Sequence, residues 1–153
     1  MSVYLLALLI GIVAGLRTMS APAGLAWGAW LGWYAVAGTW ASFMAHWIAV
    51  LVFSIVALVE LVTDQLPSTP SRKVPMQFGA RIVSGAFCGA VIGTVGGSLV
   101  GGLVAGIIGA VIGTLGGADF RGRLARAFGR DLPAALIEDV VAVVGALAIA
   151  AAV

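Results

Sequence analysis

Six ionisable residues stand within or at the edge of long apolar runs: Arg17, Glu60, Asp64, Arg81, Glu138 and Asp139. A charge at the centre of a membrane helix costs roughly 2.5–3.5 kcal/mol on insertion scales, so each of these positions calls for a partner or a purpose. Carboxylates offer hard oxygen ligands to a cation or exchange protons, and arginines fix carboxylates or bind anions. Glu60 and Asp64 are four residues apart, on one face of a helix. Four carboxylates against two arginines leave two negative charges unmatched. A bound cation, protonation of carboxyl groups, or arginines reaching in from a neighbouring loop would each correct the imbalance. The first two are the ingredients of an ion or proton pathway and the third is structural, and interfacial snorkelling is a further reading. As a metal set, Glu60, Asp64, Glu138 and Asp139 would be the ligands, with a bound cation as the one cofactor that the chain suggests.

Other reactive side chains carry less. His46 beside Trp47 is read as a boundary residue, and the lone Cys88, between Gly85 and Gly89, as a small packing residue. Ser20 near Arg17 has no neighbouring base and no G-x-S-x-G turn. With no nucleophile and base paired and no histidine-rich metal motif, enzymatic activity is not expected.

The elements that must position the six residues are membrane helices. Of 153 residues, 62% are hydrophobic and 9% charged, with a mean hydropathy of +1.16, whereas soluble domains carry about 25% charged residues. Apolar segments cover residues 3–31, 45–62, 78–95, 98–115 and 134–153, the last four near the roughly 20 residues that a bilayer core demands and the first longer. The expectation is an all-α polytopic bundle of about five spans, forming a single integral membrane domain over residues 1–153. The first segment is too long for one perpendicular helix, and Pro22 removes a donor inside it, so a kink or split is expected between Arg17 and Pro22, with six spans if it splits into two crossings. No basic residue precedes Arg17, so no cleaved signal is expected despite Ala21-Pro22-Ala23.

The basic residues sort into two connections, Arg72 and Lys73 in one and Arg121, Arg123, Arg126 and Arg130 in the other. Separated by two spans, both lie on one side, which the positive-inside rule makes cytoplasmic. With five spans Met1 is inside and Val153 outside; with six, Met1 is outside. The net charge of +2 and pI near 9.2 are thus read as orientation signals rather than as a nucleic-acid footprint. Trp27, Trp30, Trp33, Tyr34 and Trp40 are placed as an aromatic belt on the outer face, with packing against neighbouring helices as the alternative for some of them.

Small residues recur every fourth position at Gly85, Gly89, Gly93, Gly97, Gly101, Ala105, Gly109, Gly113 and Gly117, a pattern that lets helix backbones approach closely in lipid. Such a stripe drifts by about 40° per step, so it is expected to break near Val95-Gly96-Gly97-Ser98. Gly85, Gly89 and Gly93 are expected to meet a neighbouring span, and Gly101, Gly109 and Gly113 a second helix of this or another subunit. Gly15-x-Arg17-x-x-Ser20 recurs as Gly79-x-Arg81-x-x-Ser84, a match short enough to arise by chance.

The elements Gly15-Leu16-Arg17, Glu60-Leu61-Val62-Thr63-Asp64-Gln65-Leu66-Pro67, Arg81 with Ser84-Gly85-Ala86, and Leu136-Ile137-Glu138-Asp139 together resemble the bacterial and plant membrane-protein family catalogued as domain of unknown function 4126. The resemblance runs in order along the chain, with E-L-x-x-D-x-x-P as its most specific part. It supplies no activity. It implies that the same six charged residues belong to one pattern. The function expected is a small oligomeric transporter or channel of the bacterial inner membrane, handling a cation or protons through the acidic cluster. The alternatives are an anion or lipid-headgroup transporter using Arg17 and Arg81, and a non-transporting structural or assembly protein. The expected partners are the bilayer, further copies of the chain and a small ion or solute, without nucleic acid.

Overall fold

A computed structural model describes residues 2–66, 71 and 73–153. Arg72 and the Pro67 of the E-L-x-x-D-x-x-P element lie outside the described residues. The architecture is all-helical, with no strand among the described residues: α1 (Val3–Leu16), α2 (Ser20–Trp30), α3 (Trp47–Thr63), α4 (Pro75–Val95), α5 (Leu99–Phe128) and α6 (Asp131–Ala150), plus a 3-10 turn at Trp40–Ala45. Three of them, α4, α5 and α6, are long and apolar enough to cross a membrane, while α1 and α3 are shorter apolar helices of 14 and 17 residues.

The first apolar segment is split at Arg17-Thr18-Met19. Arg17 turns extended, with φ −138° and ψ 116°, and α2 restarts so that Pro22 falls in its first turn, where a missing N–H leaves no helical bond broken. The chain also reverses there. Gly24 and Gly28 of α2 sit on Ala146 and Ala150 of α6, so α2 runs parallel to α6. Val13 and Arg17 of α1 meet Gly145 and Asp139, so α1 runs antiparallel to it. Residues 3–30 therefore form a helical hairpin with Arg17-Thr18-Met19 at its tip. Five apolar segments become six helices.

Helices α1, α4 and α5 form the tightest unit. A Cβ on Gly85, Gly89 or Gly93 of α4 would strike Gly106, Gly102 or Ser98 of α5, and one on Gly109 or Gly113 of α5 would strike Leu8 or Ile12 of α1. The break in the stripe lies at Gly96-Gly97-Ser98, where Gly97 adopts φ +77°, a conformation that glycine takes without strain. Gly101 meets Tyr4, so the second contact of the stripe is α1 of the same chain. Side chains of Leu, Ile and Val on α3, α5 and α6 point outward and remain exposed.

Residues 118–128, read from sequence as part of a loop, instead extend α5 to Phe128. Ala, Leu and Arg are good helix formers, and Arg123 pairs with Asp119 one turn earlier at 2.8 Å. Charge ends a helix's burial in lipid without ending the helix. The turn is made by Gly129, with φ +67°.

Of the aromatic residues, Trp27, Trp30, Trp33 and Trp40 are exposed at the end of the molecule away from the hairpin tip, whereas Tyr34 is buried. Its hydroxyl donates to the Leu25 carbonyl at 2.5 Å, and burial, with Cys88 nearby, pushes the phenol pKa up. Tyr34 is thus a packing residue. Cys88 is fully buried, and His46 caps α3, its Nδ1 accepting from Ile48 N–H at 3.2 Å.

Candidate functional site: a buried carboxylate and arginine cluster at the hairpin tip

The hairpin tip delivers Arg17 into the centre of the bundle, fully buried. Its Nε donates to Asp139 Oδ1 at 2.6 Å, its Nη1 bonds Asp64 Oδ2, and its Nη2 lies 2.6 Å from Asp139 Oδ1 and 3.6 Å from Glu138 Oε2. One guanidinium thus faces three carboxylates, Asp64 just past the end of α3 and Glu138 and Asp139 on α6. Charge-assisted pairs of this kind are the strong ones, and inside a bundle they are little screened.

Arg81 reaches the same place from the second turn of α4. Its Nη1 donates to the carbonyls of Gly15 and Leu16 at 2.9 and 2.7 Å, and its Nη2 lies 3.6 Å from Asp64 Oδ2. Those carbonyls are the last of α1, whose negative dipole end favours a cation. On the other side of the break, Glu60 accepts N–H bonds from Thr18 and Met19, both at 2.7 Å, and its negative charge matches the positive end of α2. Ser84 Oγ donates to the Thr18 carbonyl at 2.5 Å. The open backbone of the tip is therefore satisfied by an arginine on its carbonyl side and a glutamate on its amide side.

All six charged residues singled out in the sequence meet around this tip. Sequence reasoning missed the contribution of Arg121 and Gln65. Arg121 Nη1 lies 3.4 Å from Glu138 Oε2, while Nε and Nη2 grip Asp131 at 2.9 and 2.5 Å; Nη2 also donates to the Asp64 carbonyl at 3.4 Å. Gln65 Nε2 donates to Asp139 Oδ2 at 3.1 Å. Arg121 was legible in principle, since it falls one step beyond Gly117 in the four-residue stripe once α5 is allowed to continue.

These contacts pair three of the four carboxylates without removing the excess of negative charge. Arg17, Arg81 and Arg121 surround Asp64, Glu138 and Asp139, but Arg121 also binds Asp131, so three guanidiniums face five carboxylates, and Glu60 is held by two backbone N–H groups. Among the described residues Glu60 is the one member of the four with no cationic partner. No group of three or more His, Cys, Asp or Glu side chains able to hold a metal occurs among the described residues. The oxygens of Glu60, Asp64, Glu138 and Asp139 instead turn to guanidinium, amide and N–H donors.

Exposure rises outward from the tip. The Arg17 side chain is 0% exposed, Glu138 2%, Asp139 and Asp64 about a tenth, Arg121 15% and Asp131 59%. A connected series of charged groups therefore runs from the surface to the buried tip. Comparison with known proteins returned no matching family model, no matching curated protein and no matching solved structure.

Proposed function

We propose that the chain is a small multi-pass protein of the bacterial inner membrane that carries protons through this cluster. The observation that carries the reading is the state of Glu60: a half-buried carboxylate at a helix break, balanced by two neutral N–H donors. Its neutralisation breaks no ion pair, whereas protonating Asp64, Glu138 or Asp139 would in each case take a carboxylate charge away from the buried Arg17 guanidinium. The charged series from Asp131 through Arg121 and Glu138 to Arg17 marks the polar side from which solvent would approach the tip, its members staying ion-paired. A discontinuous helix whose two half-ends face charges is also how many transporters build their sites.

In this reading Asp64, Asp139, Arg17 and Arg81 hold the tip in place and Glu60 exchanges the proton. A proton suits the four carboxylates better than a metal cation, because their oxygens are already turned to other donors. The six helices act as spans, with α1 and α2 entering as a short hairpin, which puts the basic ends of α5 and α6 in the cytoplasm and the start of α1 outside. Self-association remains part of the proposal without support from the glycine stripe, both of whose contacts are within the chain.

Purified protein in liposomes tests the reading. Proton flux above that of empty vesicles, lost in Glu60→Gln, is the expected result. Anion flux lost in Arg17→Ala and spared by Glu60→Gln would reverse the roles of acids and arginines. Absence of flux together with an unchanged cellular phenotype when Glu60 and Arg81 are both made neutral would reduce the cluster to a structural brace.

A further inference from the structure

The outward face of α5 changes character along its length. Val104, Ile108, Ile112 and Leu115 are exposed and recur at steps of three or four residues, so they form one stripe, which on a helix long and apolar enough to cross a membrane is the face that meets lipid. At the same steps the stripe continues through Asp119 to Arg123 and Arg126, both exposed. One face thus turns from aliphatic side chains to guanidinium groups within about 12 Å, the rise from Leu115 to Arg123. Helical side chains lean toward the N-terminus, here back toward the apolar stripe. Arg126 does so: its Nη1 lies 3.9 Å from where a Cβ on Gly122, one turn earlier, would stand.

Arg126 and Arg130 also lack counter-charges. Arg121 grips Asp131 and Arg123 pairs with Asp119, while neither Arg126 nor Arg130 has an ion-pair partner among the described residues. Around them Phe128 and Leu132, one on each side of the Gly129 turn, are exposed as well. Exposed arginines interleaved with exposed large apolar side chains suit the boundary of a bilayer, where guanidinium reaches phosphate and ring or alkyl groups reach the first acyl carbons.

We propose that this end of the α5–α6 hairpin docks an anionic phospholipid, its acyl chains along Ile108, Ile112 and Leu115 and its phosphodiester on Arg126, with Arg130 adding a second charge. A lipid is favoured over a soluble anion because the arginines stand on the continuation of the lipid-facing stripe and Arg126 folds back toward it. An anionic headgroup is favoured over a zwitterionic one because two cations without acidic partners leave a local positive charge, to which a choline or ethanolamine ammonium would add. The guanidinium fork matches two phosphate oxygens at once. Lipid docking here requires α5 to cross the bilayer and does not depend on proton exchange at Glu60.

Native mass spectrometry of the full chain, released from detergent carrying equal amounts of phosphatidylglycerol and the phosphatidylcholine of the same acyl chains, counts the lipid that each molecule retains. An arginine near an anionic headgroup contributes about fivefold, so phosphatidylglycerol is expected to exceed phosphatidylcholine by about an order of magnitude. The excess falls about fivefold in Arg126→Gln, approaches parity when Arg130→Gln is added, and is largely kept in Arg126→Lys, which retains the charge. In the wild type it shrinks as ionic strength rises. Four results overturn the proposal: equal retention of the two lipids by the wild type, an excess insensitive to salt, an excess unchanged in the doubly substituted chain, or displacement of phosphatidylglycerol by an equal concentration of glycerol phosphate. Glycerol phosphate carries the headgroup charge without the chains, so that last result would assign the arginines to a soluble anion.

Discussion

Arg17 is the residue on which the cluster depends, because it alone contacts three of the four carboxylates. Removing one partner of a buried ion pair typically costs about 3–5 kcal/mol, since the remaining charges stay buried. Arg17→Leu is therefore expected to lower stability in detergent by at least that range, read as a fall in thermal unfolding midpoint. Glu60→Gln leaves every ion pair intact and loses one of two N–H acceptors, so its cost is expected near 1–3 kcal/mol. A larger loss for Glu60→Gln than for Arg17→Leu would contradict the charge assignment. The six residues were legible because a charge in an apolar run is costly wherever it sits. Their partners were not: hydrogen bonds from the Thr18 and Met19 amides to Glu60 depend on a chain reversal that carries no side-chain signal, and Arg121 was hidden by reading residues 118–128 as a loop.

Helix α5 is the element that ties the fold together, with α4 on one face and α1 on another. Gly106 serves both contacts, lying against Gly85 and Gly89 on one side and Gly11 on the other. Overpacking commonly costs about 1–3 kcal/mol, and here the colliding atoms are backbone, which cannot rotate away. Gly106→Leu is expected to exceed that range and to separate α1 from α4 and α5, whereas Gly116, with nothing nearby, is expected to gain up to about 1 kcal/mol as Ala through helix propensity. Circular-dichroism melting of both variants checks the pair; equal effects would show that the glycine contacts do not matter. Four-residue spacing made the stripe readable in sequence. Which helix fills its second face was not readable, since close approach looks the same from within one chain or from a neighbour, and the fold assigns that face to α1.

At the scale of the whole molecule, the helix directions put the start of α1 and the end of α6 at one end, with the exposed tryptophans, and the tip cluster with Lys73, Arg123, Arg126 and Arg130 at the other. The tip lies about 10 Å inside the starts of α4 and α6 at a 1.5 Å rise per residue, so a water-side path to it is short on the basic side and long on the aromatic side. Cysteines introduced at Ser2 and Ala152 are expected to react with an impermeant maleimide from outside intact cells, and one at Arg130 only after permeabilisation, the native Cys88 being buried. Labelling of Ser2 and Ala152 from opposite sides would reject the hairpin. The sequence carried this choice only as two alternatives, five spans or six, because length and hydropathy cannot tell a kinked helix from one that turns back.

The central claim is that Glu60 takes and releases a proton while its neighbours stay ion-paired. Infrared difference spectroscopy of the protein in lipid, recorded between acidic and alkaline buffer, observes this directly through the carbonyl stretch of a protonated carboxyl group. One such band, shifted by deuterium exchange, absent in Glu60→Gln and retained in Glu138→Gln, is the predicted result. A band that survives in Glu60→Gln, or no band at any pH, would contradict the account.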